Sequence, residues 1–110
     1  MKDASLWLRF DFANGRVGPG KIALLEAIQR EGSISAAARS LGMSYRRAWE
    51  LVAELNETFS APVVERITGG AGGGGARLTR LGEALVLGFR DIESAASRAA
   101  AQHLRRLAKS

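Results

Sequence analysis

Near the start of the chain, hydrophobic positions alternate with polar ones, which is the period of a half-buried strand. The apolar members of this pattern are Leu6, Leu8, Phe10 and Phe12. The pair Asn14-Gly15 follows and favours a tight turn. Arg16 and Val17 are therefore predicted to form a brief return strand, which would make a small hairpin.

The pattern then changes to the helical period. Gly18-Pro19-Gly20 ends the alternation, and residues 21–31 predict a helix that faces the core. Its apolar residues are Ile22, Leu24, Leu25 and Ile28. Because they recur at helical intervals, this first helix is expected to pack against whatever follows it.

Residues 32–56 carry two short helical patterns around a central glycine. Gly32 is predicted to end the preceding helix, and Ser33 to cap the next one. Gly42 suits the turn, and Ser44 suits the cap of the second helix. The positions predicted to be buried are Ile34, Ala37, Ala38 and Leu41, then Ala48, Leu51, Val52, Leu55 and Phe59. This spacing is typical of a helix-turn-helix unit, whose second helix enters the major groove of DNA.

The other face of the second helix is charged and has two interpretations. Arg46 and Arg47 open the helix, where side chains of helix-turn-helix proteins contact base edges. Glu50, Glu54 and Glu57 follow on the same exposed face. These carboxylates would also suit an ordinary solvated hairpin, or a winged helix used for protein interaction or assembly. The capping and turn signals fall at helix-turn-helix spacing and favour the first interpretation.

Two aromatic residues lie at the border between the buried stripe and the charged face. Tyr45 and Trp49 are one helical turn apart. They either cover the rim of the core or pack on DNA sugars and thymine methyl groups. The sequence leaves both alternatives open.

A second hairpin is predicted after this helix. Residues 63–67 and 76–78 favour strands, and between them residues 69–75 contain six glycines. A glycine tip lets the backbone approach a narrow groove or a phosphate, and Arg66 and Arg77 flank it. A flexible linker is the alternative. The run lacks the lysine and hydroxyl residue of a nucleotide-binding G-x-x-x-x-G-K-[ST] loop.

The last segment predicts a long helix from Arg80 to about Lys109, with Thr79 as its N-cap. Apolar and small residues on it recur at intervals of four and three, which is heptad spacing. Such a seam packs either on its own domain or on a second copy. A helix of about thirty residues exceeds what one small domain usually needs, which favours a homodimer. The seam residues are Leu81, Leu85, Gly88, Ile92, Ala95 and Ala99.

Length and charge narrow the class of partner. The chain has 110 residues, enough for one domain, with a net charge of +5 and a pI near 10.7. Thirteen of its sixteen basic residues are arginine, which suits bidentate contacts to phosphate and guanine. Both features indicate double-stranded DNA as the partner. The arginines of the segment expected to face DNA are Arg39, Arg46, Arg47, Arg66, Arg77 and Arg80.

The sequence offers no catalytic or metal-binding constellation, so neither an enzyme nor a cofactor is expected. His103 is the sole histidine, and there is no cysteine. Ser33, Ser35 and Ser44 are interpreted as caps or turn residues, because no base is available to activate them. Without cysteine, a signal-peptide pattern or a membrane-length apolar run, the chain is expected in the cytoplasm and not at a membrane.

Four motifs at fixed spacing carry a family resemblance. They are Gly32-Ser33-Ile34-Ser35, Ser44-Tyr45 with Ala48-Trp49, Glu65-Arg66, and a glycine wing that ends in Leu78-Thr79. Over roughly residues 6–104, the chain resembles the N-terminal domain of the ModE-type, molybdate-responsive transcriptional regulators. The resemblance implies a winged helix related to the LysR-type DNA-binding domain. It also implies a dimer formed partly through the last helix, bound to a two-fold symmetric operator.

These observations combine into one set of expectations. The fold is mainly α with a small β component, a winged helix-turn-helix with a long C-terminal dimerisation helix. Residues 1–79 form the DNA-binding domain, with the helix-turn-helix at about 33–58 and the wing at about 63–78, and residues 80–110 form the dimerisation helix. Family members that sense molybdate carry further oxyanion-binding domains, so no oxyanion ligand is expected in this chain. The candidate DNA-binding residues are Ser33, Ser44, Tyr45, Arg46, Arg47, Trp49, Glu50, Arg66, Thr68, Gly72, Gly73 and Arg77.

Overall fold

The computed structural model describes residues 4–68 and 74–109. A small hairpin of β1 (Phe10–Phe12) and β2 (Gly15–Val17) precedes three helices. The helices are α1 (Pro19–Glu31), α2 (Ile34–Ser40) and α3 (Tyr45–Thr58). A second antiparallel hairpin, β3 (Val64–Ile67) with β4 (Gly75–Leu78), leads into the long helix α4 (Arg80–Ala108). The predicted mainly α, winged helix-turn-helix fold with a long last helix is confirmed.

The predicted helix boundaries follow from capping residues. Gly32 ends α1 with a φ of 82°, the left-handed conformation that favours glycine, and Gly42 has a φ of 68° in the turn before α3. The Ser33 hydroxyl accepts a hydrogen bond from the Ala36 amide at 3.0 Å. The equivalent caps of α3 and α4 are Ser44, which accepts from the Arg47 amide, and Thr79, which accepts from the Gly82 amide. All three predicted N-caps are therefore confirmed.

The core lies where α1 meets the other elements. Most of the predicted stripe residues are buried, but Leu41 is 37% exposed, so its predicted burial is wrong. Leu41 is the C-cap of α2, where the chain has already left the helical conformation and turned the side chain outward. Leu51 and Phe59 are partly buried and pack against the core rather than inside it. The largest fully buried side chains are Phe89, Ile22, Leu24, Leu25, Ile28, Leu55, Val17 and Val63.

The first hairpin differs from its prediction in two ways. The regular strand covers only residues 10–12 of the alternating stretch, and its turn is formed by Ala13 and Asn14. Gly15 is instead the first residue of β2, where an added Cβ would overlap the Thr58 hydroxyl of α3. This glycine is needed for close packing.

The next element, α1, begins at Pro19, two residues earlier than predicted, because proline fits the first helical position.

Helix α4 packs on the body through its first turns. Gly82 and Phe89 are its buried residues, and the Phe89 ring lies 4.9 Å from the ring of Phe10, centroid to centroid. A Cβ on Gly82 would collide with the Val63 carbonyl oxygen, which accepts a hydrogen bond from the Thr79 amide at 3.0 Å. The start of α4 therefore touches the backbone of the residue that precedes β3.

Gly82→Ala is expected to destabilise the fold by about 2 kcal/mol, because overpacking outweighs the better helix propensity of alanine. The Val63 carbonyl cannot retreat without loss of its hydrogen bond to Thr79. Gly20→Ala is the matched control, since an added Cβ there meets no atom within 4 Å. Chemical denaturation checks both variants. Equal stability of Gly82→Ala and Gly20→Ala would contradict the close contact.

Candidate nucleic-acid interface

The first turn of α3 projects its charged residues into solvent. The side chain of Arg46 is 90% exposed and lies 3.6 Å from the Glu50 carboxylate. Arg47 lies 3.7 Å from the same carboxylate. Exposed ion pairs at such distances contribute little stability, so both guanidinium groups can leave Glu50 for a phosphate or a base edge. Glu50, also predicted at the site, lies between the two arginines.

The wing, which is the hairpin β3–β4, is connected to the helix-turn-helix by backbone and side-chain hydrogen bonds. The side-chain oxygen of Asn56, near the end of α3, accepts from the amides of Val63 at 2.8 Å and Val64 at 3.3 Å. On the other strand, the Ala76 amide donates to the Gly32 carbonyl at 2.9 Å. The wing is therefore held at both strands, one against α3 and the other against the turn before α2.

A third connection joins the wing to the aromatic pair of α3. Arg66 donates through Nη2 to the Tyr45 hydroxyl at 3.2 Å, and its guanidinium carbon lies 5.8 Å from the Trp49 ring centroid. Both aromatic residues remain exposed despite these contacts. Tyr45 and Trp49 therefore do more than cover the rim of the core. The two rings hold a wing arginine, Arg66, beside the first turns of α3.

The two wing arginines lie on opposite faces of the hairpin. Residues facing each other across the strands are Glu65 with Arg77 and Arg66 with Ala76. Because side chains alternate along a strand, Arg66 and the buried Ala76 point toward the helices. Arg77 lies on the outer face, where its Nε donates to the Glu65 carboxylate at 2.7 Å. The sequence prediction treated these two arginines alike, and the fold separates them.

A crevice of about 300 Å³ opens between α2, α3 and the wing. It brings together several predicted site residues, with Ser33, Tyr45, Arg66 and Thr68 among its lining. The hydroxyls of Ser33 and Ser44 accept the cap hydrogen bonds of α2 and α3. Gly72 and Gly73 lie outside the described residues.

Two contributors to the site were not identified from the sequence. One is Asn56, whose side chain positions β3, and the other is the Gly32 carbonyl, which positions β4. An asparagine near the end of a helix carries no distinctive local signal, because its partners are seven and eight residues further along the chain. Gly75 shows the same close approach, since an added Cβ would lie 2.7 Å from the Gly32 carbonyl oxygen.

Metal-ligating groups and membrane-spanning helices can be assessed in residues 4–68 and 74–109, the described part of the chain. No group of three or more metal-ligating side chains is present there. No helix in that part of the chain has the length and hydropathy needed to cross a membrane.

An exposed, arginine-opened second helix beside a wing defines the class of winged helix-turn-helix regulators. A comparison with protein families agrees: residues 20–83 match the bacterial regulatory helix-turn-helix proteins of the lysR family. The chain belongs to that family.

Curated relatives show which proteins the chain resembles in sequence. The chain is 50% identical over 84 residues to the molybdenum-pterin-binding protein MopA of Rhodobacter capsulatus, covering 76% of the chain and 32% of MopA. It is 52% identical over 68 residues to the transcriptional regulator ModE of Yersinia pestis, covering 62% of the chain and 26% of ModE. The corresponding identity to the ModE of Escherichia coli K12, a DNA-binding transcriptional dual regulator, is 48%. The resemblance to the N-terminal domain of ModE is thus confirmed, and the chain spans about a third or less of these relatives.

Proposed function

We propose that this chain is the sequence-specific DNA-binding unit of a ModE-like transcription regulator. The observation that carries the proposal is the meeting of two elements on one surface. The exposed Arg46 and Arg47 open α3, and Arg66 of the wing contacts Tyr45 on the same turns. A helix that enters the major groove and a wing beside it then contact one stretch of duplex together.

The same proposal includes a two-fold symmetric operator bound by a homodimer. The seam of α4 supports the dimer, because Ile92 is 51% exposed and a Cβ on Gly88 would meet no atom within 4 Å. An exposed isoleucine beside open space on one helix face suits close packing with a second α4. Two-fold symmetry would then place the recognition helices about 34–36 Å apart, one turn of duplex, or at a multiple of that spacing.

The function is tested by measuring affinity for the promoter of its own operon at two salt concentrations, with scrambled DNA of equal length as control. Sequence-specific binding that weakens at higher salt is the expected result. Equal affinity for promoter and scrambled DNA, or none for either, would refute the proposal. Such a result would favour a winged helix that binds proteins, with Glu50, Glu54 and Glu57 on its exposed surface.

The wing gives a separate prediction, in which Arg66 and Arg77 contact phosphates or the minor groove. Replacing each by alanine should weaken binding to all sequences and make the slope of log K against log salt shallower by about 1 per lost phosphate contact. Among the described residues, Arg66 donates a hydrogen bond to Tyr45 of α3, whereas Arg77 donates to Glu65 on the opposite strand. Loss of Arg66 should therefore also change the contact between the wing and α3. Glu65→Gln, which removes the partner of Arg77 and keeps the arginine, is the control. An unchanged salt slope in the double arginine variant would show that the wing faces away from DNA.

A further inference from the structure

In the described part of the chain, helix α4 has its fully buried residues near one end. Its buried residues, Gly82 and Phe89, lie within its first ten positions, and no residue after Phe89 is buried in the described part of the helix. Residues 91–108, here called the distal half, continue for about 27 Å at 1.5 Å per residue. The direction of the distal half is thus set where α4 leaves the body.

Arg90 lies at that point and joins α4 to α1. Its Nε donates to one carboxylate oxygen of Glu26 at 3.0 Å and its Nη2 to the other at 2.8 Å. Its remaining Nη1 donates to Glu93, one turn further along α4, at 2.7 Å. All three side chains are half-buried. The guanidinium is therefore held by one carboxylate on each helix.

This contact differs in kind from the apolar packing beside it. Burial of Phe89 is non-directional, so it fixes where α4 touches the body but leaves the tilt of the helix less determined. A bidentate arginine–carboxylate pair fixes the relative orientation of two planar groups. Hydrogen bonds to Glu26 and then Glu93 raise the pKa of Arg90, and the bond from Arg90 lowers the pKa of Glu26. Arginine and glutamate are ordinarily charged at neutral pH, and both shifts favour the charged forms further.

Next to this pair, the distal half borders an open groove. The groove has a volume of about 900 Å³ and lies between the distal half and residues 4–6 of the N-terminal segment. On α4 it is lined by residues that include Ser97, Ala101 and Leu104. No described residue of the distal half is fully buried, so packing constrains the direction of α4 less there than at Phe89. A tilt of about 10° at Arg90 would move that end by about 5 Å, more than one base-pair step of about 3.4 Å.

We propose that Arg90, through its paired hydrogen bonds to Glu26, sets the direction of α4 and so the half-site spacing that the dimer accepts. Arg90 is a positioning residue in this role and contacts no DNA. The inference rests on the proposed dimer on a two-fold operator. A small change in the tilt of α4 at the Arg90–Glu26 pair then changes the separation of the two recognition helices by a distance comparable to one base-pair step.

The orientation is tested first in the protomer, without DNA. The chain contains no cysteine, so Gln29→Cys on α1 and Leu107→Cys on α4 place spin labels at two exposed positions. Labelled chain is diluted into an excess of unlabelled chain, so that distances within one protomer dominate. Glu26→Gln is expected to broaden or shift the distance distribution, whereas Glu93→Gln, which keeps the Glu26 pair, should leave its centre unchanged. Identical distributions for the parent protein and Glu26→Gln would overturn the proposal.

The second measurement uses duplexes in which two half-sites are moved apart one base pair at a time, with a single half-site as control. Glu26→Gln should lower the ratio of affinities for the preferred over a displaced spacing by about fivefold, the upper range measured for ion pairs that water still reaches. Affinity for the single half-site should stay unchanged, which general destabilisation would not allow. A ratio equal to that of the parent protein would refute the role of Arg90 in spacing.

Failure of the proposed function gives a different result. A parent protein that stays monomeric on paired half-sites, or lacks affinity for any half-site, removes the dimeric operator and the spacing role with it. The spin-label distances still show in that case whether the pair directs α4. A dimer that binds paired half-sites and ignores Glu26→Gln overturns only the inference.

Discussion

Arg47→Ala is expected to weaken operator binding by about 1–3 kcal/mol, roughly 5- to 150-fold, if its guanidinium makes a bidentate base contact. Arg47 lies in the first turn of α3, and its exposed pair with Glu50 at 3.7 Å is weak enough to be exchanged. Specificity should relax at the contacted base pair, because alanine cannot distinguish base edges. Competition titrations with single-base operator variants measure both effects.

Two further variants test whether the effect belongs to the arginines of α3 or to net charge alone. Arg46→Ala tests the neighbouring position on the same turn of α3. Arg98→Ala removes the same charge from the exposed surface of α4, so it controls for net charge alone. Equal affinity and selectivity of the parent protein and both α3 variants would refute the assignment of these arginines. An equal loss in Arg98→Ala would indicate that only overall charge matters.

Ile92→Glu is expected to convert the protein from dimer to monomer and to weaken binding to a two-half-site operator by about 100-fold. Ile92 is 51% exposed at the centre of the seam, where a buried carboxylate from each copy would be desolvated and face its like charge. Leu87→Glu is the matched control, since Leu87 is 65% exposed on the same helix and lies outside the seam. Sedimentation at micromolar concentration, with and without operator DNA, gives the oligomeric state.

Three outcomes distinguish whether a dimer forms and which surface forms it. If Ile92→Glu dissociates the dimer and Leu87→Glu does not, the seam is the interface. If both variants remain dimeric, the copies meet elsewhere. A monomeric parent protein, even on operator DNA, would rule out the dimer itself. Because Leu87 and Ile92 are both exposed in the protomer, neither glutamate should unfold it.

The site was partly predictable because some of its determinants are local. Arg46 and Arg47 lie in the first turn after a serine cap, and an N-cap and a helical period are defined by residues within one or two turns. Their exposure at the start of α3 therefore followed from the sequence. The contact of Arg66 with Tyr45 did not, since it joins residues 21 positions apart and depends on how the wing packs.

By itself, the sequence determined the elements of this protein: three capped helix starts, two left-handed glycine turns, the buried stripes and the arginines that open α3. Each of these depends on neighbours along the chain, where steric limits and hydrogen bonds act at short range. Tertiary structure alone decided that Leu41 is exposed, that Gly15 makes room for Thr58, and that Arg66 and Arg77 face opposite ways. It also decided that Arg90 meets Glu26, 64 residues away. Those outcomes depend on which surfaces meet when the elements pack. The local sequence pattern does not predict them, because the contacts join residues that are far apart along the chain.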